Sequence, residues 1–233
     1  MRTYEGLLDR VVFSPRLTAH VVEPTADPRI HGYAVEADLA RNVGFVDVGW
    51  LALTGELPDA SEREALTTAL ILLAPLHVGE APAHAGVLAR VAGAPDEVVP
   101  AIAVIALGQR IAAELRAFAP LFQWLREPVG PLPAVAVLAE PTDEQRERQR
   151  IVAAASARWF GPERALPDAP VLTREATAYA LLHRLGVADP PRLQAFATWA
   201  RLPVILAEAA CMASGAINEY PGDLPPYRYV EDL

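Results

Sequence analysis

Residues 31–59, HGYAVEADLARNVGFVDVGWLALTGELPD, decide how the rest of this chain is read. Apolar residues recur at three- and four-residue spacing, first in AVEADLA and then in FVDVGWLAL, which is the period of a helix face. Asn42 and Gly44 interrupt the pattern, so 34–58 is expected to hold two helical pieces with a break between them. Gly55 followed by Pro58 ends the second piece, because glycine tolerates the left-handed position after a helix and proline cannot extend the ladder.

Working outward, residues 1–30 contain short β-branched runs broken by Pro15 and Pro24, which suits extended segments or a small hairpin. Downstream, Ser61 and Glu64 form a capping-box pattern that predicts a largely buried helix over 61–74. PLHVGEAPAH (75–84) reads as a Pro/Gly-bearing loop holding two histidines, and VLARVAG then ends at Gly93. Pro95-Asp96 opens a long helix reaching Phe118, with Pro100 in its first turns. The stretch 118–141 contains Pro120, Pro128, Pro131, Pro133 and Pro141 and is expected to be an irregular connection. Thr142 starts a helix with acids first and arginines later, as the helix dipole favours. A loop over 161–172, helices over 173–186 and about 190–213, and a polar tail complete the chain. About eight helices and little strand make the expected class all-α. The whole of 1–233 is expected to be one domain: an extended segment 1–30, N-terminal helices 31–117, the Pro-rich connection and C-terminal helices 142–233.

Composition narrows the function. No stretch approaches the roughly 20 uninterrupted apolar residues of a membrane span. The opening MRTYEGLLDR is charged where a signal peptide needs its apolar region, so a soluble cytoplasmic protein is expected. A net charge of −9 removes the electrostatic basis for general nucleic-acid binding. All 20 basic residues are arginines. The absence of lysine excludes a Schiff-base lysine and a Walker-type lysine, and leaves the arginine fork to bind carboxylates or phosphates. The single cysteine, Cys211, excludes an intramolecular disulfide and a Cys-pair metal site. The histidines His20, His31, His77, His84 and His183 form no HExxH pair, and no metal site is expected.

The opening stretch resembles the N-terminal signature of the citrate synthase family, which includes the shorter citryl-CoA lyases. The matching residues are His31-Gly32-Tyr33, Leu39-Ala40, Asn42, Phe45, Val48 and Leu53-Thr54-Gly55-Glu56-Leu57-Pro58. LLHRLGV (181–187) and DPPRLQAFATWARLP (189–203) are similar to the family's C-terminal pair of helices, and PYRYV (226–230) to its terminal segment with the glycine lost. The resemblance implies a citrate synthase-like multi-helical fold with a reduced small domain. It also implies a dimer built across long apolar helices such as 61–74 and 98–107.

The family forms or breaks a C–C bond beside a CoA thioester. A carboxylate removes a proton, one histidine donates to the enolate oxygen, a second polarises the oxo acid, and arginines clamp its carboxylates. By the resemblance, His77 stands where the first histidine belongs, with Leu76 in place of the family aspartate; a histidine making only a local backbone contact is the alternative. His84 is a weaker candidate for the same role. The second histidine falls on Ala112. The carboxylate falls on Glu175, one methylene longer than the family's aspartate, or else Glu175 is merely a first-turn acid. Arg201 keeps the family's arginine while the neighbouring glycine, tryptophan and histidine are gone, and Arg228 is a comparable candidate in the tail. The alternative for Arg201 is a solvated or ion-paired surface residue. No CoA adenine-binding loop is recognised.

Two functions follow as expectations. The first is an enzyme acting on a CoA thioester and an oxo acid by enolisation, in the synthase or citryl-CoA lyase direction, with coenzyme A thioester as substrate and no covalent cofactor. The second is a catalytically degenerate homologue that binds an acyl-CoA or carboxylate, or partners a longer paralogue. The assembly is expected to be a homodimer or such a heteromer, without nucleic acid or membrane.

Overall fold

The structure, a computed structural model, describes residues 18–23 and 25–211. Arg228, the polar tail and the first 17 residues lie outside the described residues. The chain divides into two compact units, Met1–Pro58 and Asp59–Leu233.

In the first unit, strands β1 (Val22–Glu23), β2 (Arg29–Ile30) and β3 (Tyr33–Ala34) form an antiparallel sheet in the order β1-β2-β3. Val22 pairs with Ile30, and Arg29 with Ala34. The short hairpin expected here is therefore a three-stranded meander. A π-helical turn, Val35–Leu39, leads into α1 (Ala40–Asn42), and α2 (Phe45–Thr54) follows the break at Val43 and Gly44. Two carboxylates set these starts. Asp38 accepts the Ala34 N–H at 2.8 Å, and Asp47 accepts the Gly44 N–H at 2.9 Å. Each satisfies an orphan donor and puts negative charge at a helix N-terminus. Gly55 has φ +91° and donates its N–H to the Leu51 carbonyl at 2.8 Å. A Cβ on Gly55 would sit 3.8 Å from Nδ1 of His31, a residue that itself adopts φ +46°. The HGY front and the TGE end of the opening stretch thus lie side by side.

The second unit contains α3 (Ala60–Leu73), α4 (Ala81–Val91), α5 (Val98–Ala117), α6 (Ala119–Arg126), α7 (Asp143–Phe160), α8 (Arg174–Arg184) and α9 (Pro190–Cys211). Nine helices are thus present among the described residues. Three boundaries differ from those expected. The capping box of α3 is Asp59 with Glu62, two residues earlier than Ser61 with Glu64: the Glu62 N–H donates to Asp59, and the Asp59 N–H to Glu62. α4 begins at Ala81, with Pro82 in its first turn, so His84 stands on a helix rather than in the loop. Within the Pro-rich stretch, α6 forms because Pro120 also falls in a first turn, where a missing N–H costs nothing. Thr142 caps α7 as read from the sequence, its hydroxyl accepting the Gln145 N–H.

Packing follows the apolar stripes. Every residue of α8 from Ala176 to Leu182 is buried, with α3 and α6 against it. Fully buried leucines such as Leu66, Leu73, Leu107 and Leu182 each contribute roughly 1.5–3 kcal/mol by leaving water. α4, α5 and α9 pack mutually, and a Cβ on Gly86 would come within 3.1 Å of the Ala103 Cβ and 3.2 Å of the Ala209 Cβ. On α7, the buried Gln149 accepts the Leu172 N–H and donates to the Pro167 carbonyl, while Ser156 Oγ accepts the Leu166 N–H at 2.8 Å. Those contacts hold the 161–172 loop that precedes α8.

α5 carries two different faces. Ala103, Leu107, Ile111 and Glu114 are buried, whereas Val98, Val104 and Ile105 are exposed, Ile105 by 67%. By length and composition α5 is the one helix among the described residues that could cross a membrane, which the count of uninterrupted apolar residues had not suggested. It nevertheless packs against α4 and α9 and interrupts its apolar run with Arg110, Glu114 and Arg116.

Candidate functional site

Arg201 is the best-defined of the predicted site residues, and it is no surface arginine. It is 3% exposed on α9. Its Nη2 donates to both carboxylate oxygens of Glu114, at 2.8 and 3.1 Å, and its Nε donates to the Leu73 carbonyl at 3.0 Å. The Tyr179 hydroxyl of α8 donates to the same carboxylate at 2.6 Å. One buried ion pair therefore ties α3, α5, α8 and α9 together. Burial by itself would pull the Arg201 guanidinium below its ordinary value, but the charge and hydrogen bonds of Glu114, with help from Tyr179 and Glu175, hold it above. The Tyr179 phenol is pushed well above its ordinary range, first by burial and then by the Glu114 charge.

The polar chain continues outward from Glu114. Arg110, one turn earlier on α5, lies 3.7 Å from Glu114 and 3.6 Å from Glu80. Glu80 in turn lies 3.7 Å from Nε2 of His77, whose side chain is 57% exposed in the loop between α3 and α4. Glu175 occupies the first turn of α8, paired with Arg174 at 2.8 Å. Arg174 also donates to the Pro75 carbonyl at 3.3 Å, which places the start of α8 beside the loop that carries His77. Arg148 of α7 donates to the Leu172 carbonyl and interacts electrostatically with Glu175 and Arg174; burial is the main reason its guanidinium lies below the ordinary value. His77 and Arg201 are thus linked through Glu80, Arg110 and Glu114, and Glu175 reaches the loop before His77 through Arg174.

Three guanidinium nitrogens of this cluster are buried without a hydrogen-bond partner among the described residues: Arg148 Nε, Arg174 Nε and Arg201 Nη1. Buried donors of a cation are costly to leave unpaired.

The other predicted positions stand as follows. His84 stands in the first turns of α4, half-buried, its N–H donating to the Glu80 carbonyl. Ala112, where the resemblance puts the second histidine, lines a separate cavity of about 440 Å³ with Leu115, Phe122 and Leu193. Two residues along a helix turn a side chain by about 200°, so Ala112 and Glu114 point to different sides of α5.

Sequence reasoning missed Glu114, Tyr179, Arg110, Arg148 and Arg174. For Glu114 a signal existed: Ala103, Leu107, Ile111 and Glu114 recur at helical spacing, which puts a carboxylate on the apolar stripe. For the arginines there was none, since a helical arginine is ordinarily a solvated one.

No protein-family model and no curated protein matches the sequence. Among solved structures, the citryl-CoA lyase from Hydrogenobacter thermophilus is similar in fold, with a TM-score of 0.57 and 17% sequence identity, over 93% of this chain and 95% of that one. The expectation of an all-α, citrate synthase-like architecture is met, and the chain folds as that lyase does.

Proposed function

We propose that this chain is a citrate synthase-like protein that binds a CoA thioester and a small oxo acid at the arginine cluster, without the complete enolisation machinery of the family. The observation that carries the incompleteness of that machinery is the closure of Arg201 by Glu114. The arginine that the resemblance assigns to a substrate carboxylate already holds a carboxylate from its own chain. The reaction's other groups are incomplete in the same sense. Ala112 offers no imidazole, and Glu175 is paired with Arg174, whereas a general base needs a carboxylate free to accept a proton. Loss of a group that acts only in the transition state lowers kcat steeply.

A second reading, an active lyase or synthase, rests on the contact that sets the start of α8, where Glu175 stands, beside the loop that carries His77. The two readings part in one experiment. The protein is incubated with acetyl-CoA and oxaloacetate, or with citryl-CoA, while free thiol and acetyl-CoA are followed, and acetyl-CoA binding is measured calorimetrically in parallel. Binding without turnover is the expected result. Turnover abolished by His77→Ala would instead support the enzyme.

The exposed stripe Val98, Val104 and Ile105 on α5, with Ile71 on α3 exposed as well, supports a dimer in which these apolar residues are covered. The second copy is proposed to be this same chain, with a longer paralogue as the alternative, and the protein is proposed to work in the cytoplasm.

A further inference from the structure

We propose that the cavity of about 440 Å³ between α5, α6 and α9 is a second binding site, which takes a small carboxylate carrying an apolar chain. The proposal goes beyond the CoA and oxo-acid reading and does not depend on it.

Helical spacing builds the walls. Ala112 and Arg116 line the cavity from α5, Phe122 and Arg126 from α6, and Leu193 and Gln194 from α9. Residues four apart share a helix face, so α5 and α6 each bring an apolar side chain and an arginine to the same space. Leu193 is buried, and Ala112 and Phe122 are half-buried. Such walls take the chain of a ligand out of water, which is worth about fourfold in affinity for each methylene fully covered.

The polar groups select the sign of the head group. Among the described residues no carboxylate lines the cavity, although the chain as a whole carries a net charge of −9. Arg126 donates its Nε to the Phe122 carbonyl at 3.2 Å, and among the described residues neither it nor Arg116 has an acidic partner. Gln194 adds a carboxamide that makes no side-chain hydrogen bond among the described residues. Two guanidinium forks and an amide donor complement a carboxylate, which only accepts. A cationic ligand would meet two like charges, and a neutral one would leave both forks to water.

The test is equilibrium dialysis of the full chain against radiolabelled octanoate, 1-octanol and acetate, which separate the charge from the chain. Octanoate is expected to bind at least tenfold more tightly than either of the others. Arg116→Gln/Arg126→Gln, at two exposed positions, is expected to weaken octanoate at least tenfold and to change 1-octanol by less than about twofold. Ala188→Trp, at an exposed position of the lining, is expected to reduce the binding of both by filling the cavity. The comparison of the three ligands on the unaltered protein stands even if a variant does not fold. 1-Octanol or acetate binding as tightly as octanoate overturns the proposal, as does octanoate that is not retained at about millimolar concentration. Octanoate binding left unchanged in both folded variants puts the ligand elsewhere and overturns it too.

Discussion

Replacing Glu114 by leucine should be among the most damaging single changes available in this chain. The substitution leaves Arg201, 3% exposed, with a full charge, the Leu73 carbonyl and the neutral Tyr179 hydroxyl beside it, and no carboxylate bonded to it. Two charge-assisted bonds at 2.8 and 3.1 Å vanish, and the Tyr179 hydroxyl loses its acceptor inside the core. Breaking a buried pair from one side costs about 3–5 kcal/mol, because the stranded charge adds its desolvation to the lost attraction. For a chain of this length that corresponds to a fall in Tm of about 6–20 °C. Removing both partners is a different matter. Glu114→Leu/Arg201→Met replaces the pair by apolar groups of similar volume, and such replacements are commonly neutral or stabilising. Urea unfolding monitored by circular dichroism on the two single variants and the double variant closes the cycle. The reasoning is refuted if Glu114→Leu changes stability by less than about 1 kcal/mol, or if the double variant is as unstable as the two single changes added together.

Three further outcomes are expected. His183 is held below the ordinary histidine value, by burial first and then by Arg184, Arg126 and Arg164, so the unfolded chain binds a proton more readily than the folded one. Its contribution is therefore full above the unfolded value near 6.5 and declines as pH falls through it, and a His183→Gln variant should lose less Tm than the parent between pH 7 and 5. Gly86→Leu should destabilise by about 1–3 kcal/mol in urea melts, since Ala103 and Ala209 leave no room between α4, α5 and α9. Ile105→Glu should leave the melting curve of the protomer little changed but halve the mass measured by light scattering to 25.0 kDa, and a parent protein already at that mass would defeat the dimer proposal.

The periodicity of AVEADLA and FVDVGWLAL and the Gly55–Pro58 ending were legible because they are local: spacing and backbone preference act within a few residues. Thr142 was legible for the same reason. Asp59 was not chosen over Ser61 because both satisfy the same pattern, and the choice rests on which carboxylate reaches back to the chain. α6 was hidden by its prolines, whose effect reverses when they fall in a first turn. The site was harder. His77, Glu175 and Arg201 came from resemblance, and their gathering depends on α3, α8 and α9 meeting in space. The partners that change what Arg201 can do lie 22 and 87 positions away, in Tyr179 and Glu114, and no spacing rule reaches that far.

The division at Pro58 also distributes the tryptophans unevenly. Trp50, buried on α2, is the only one in the first unit, while Trp124, Trp159 and Trp199 belong to the second. A variant keeping Trp50 and carrying phenylalanine at the other three positions would give an optical signal private to residues 1–58. Its fluorescence transition, set against the helical circular dichroism that α3–α9 dominate, would read directly whether the two units melt in one cooperative step or in two.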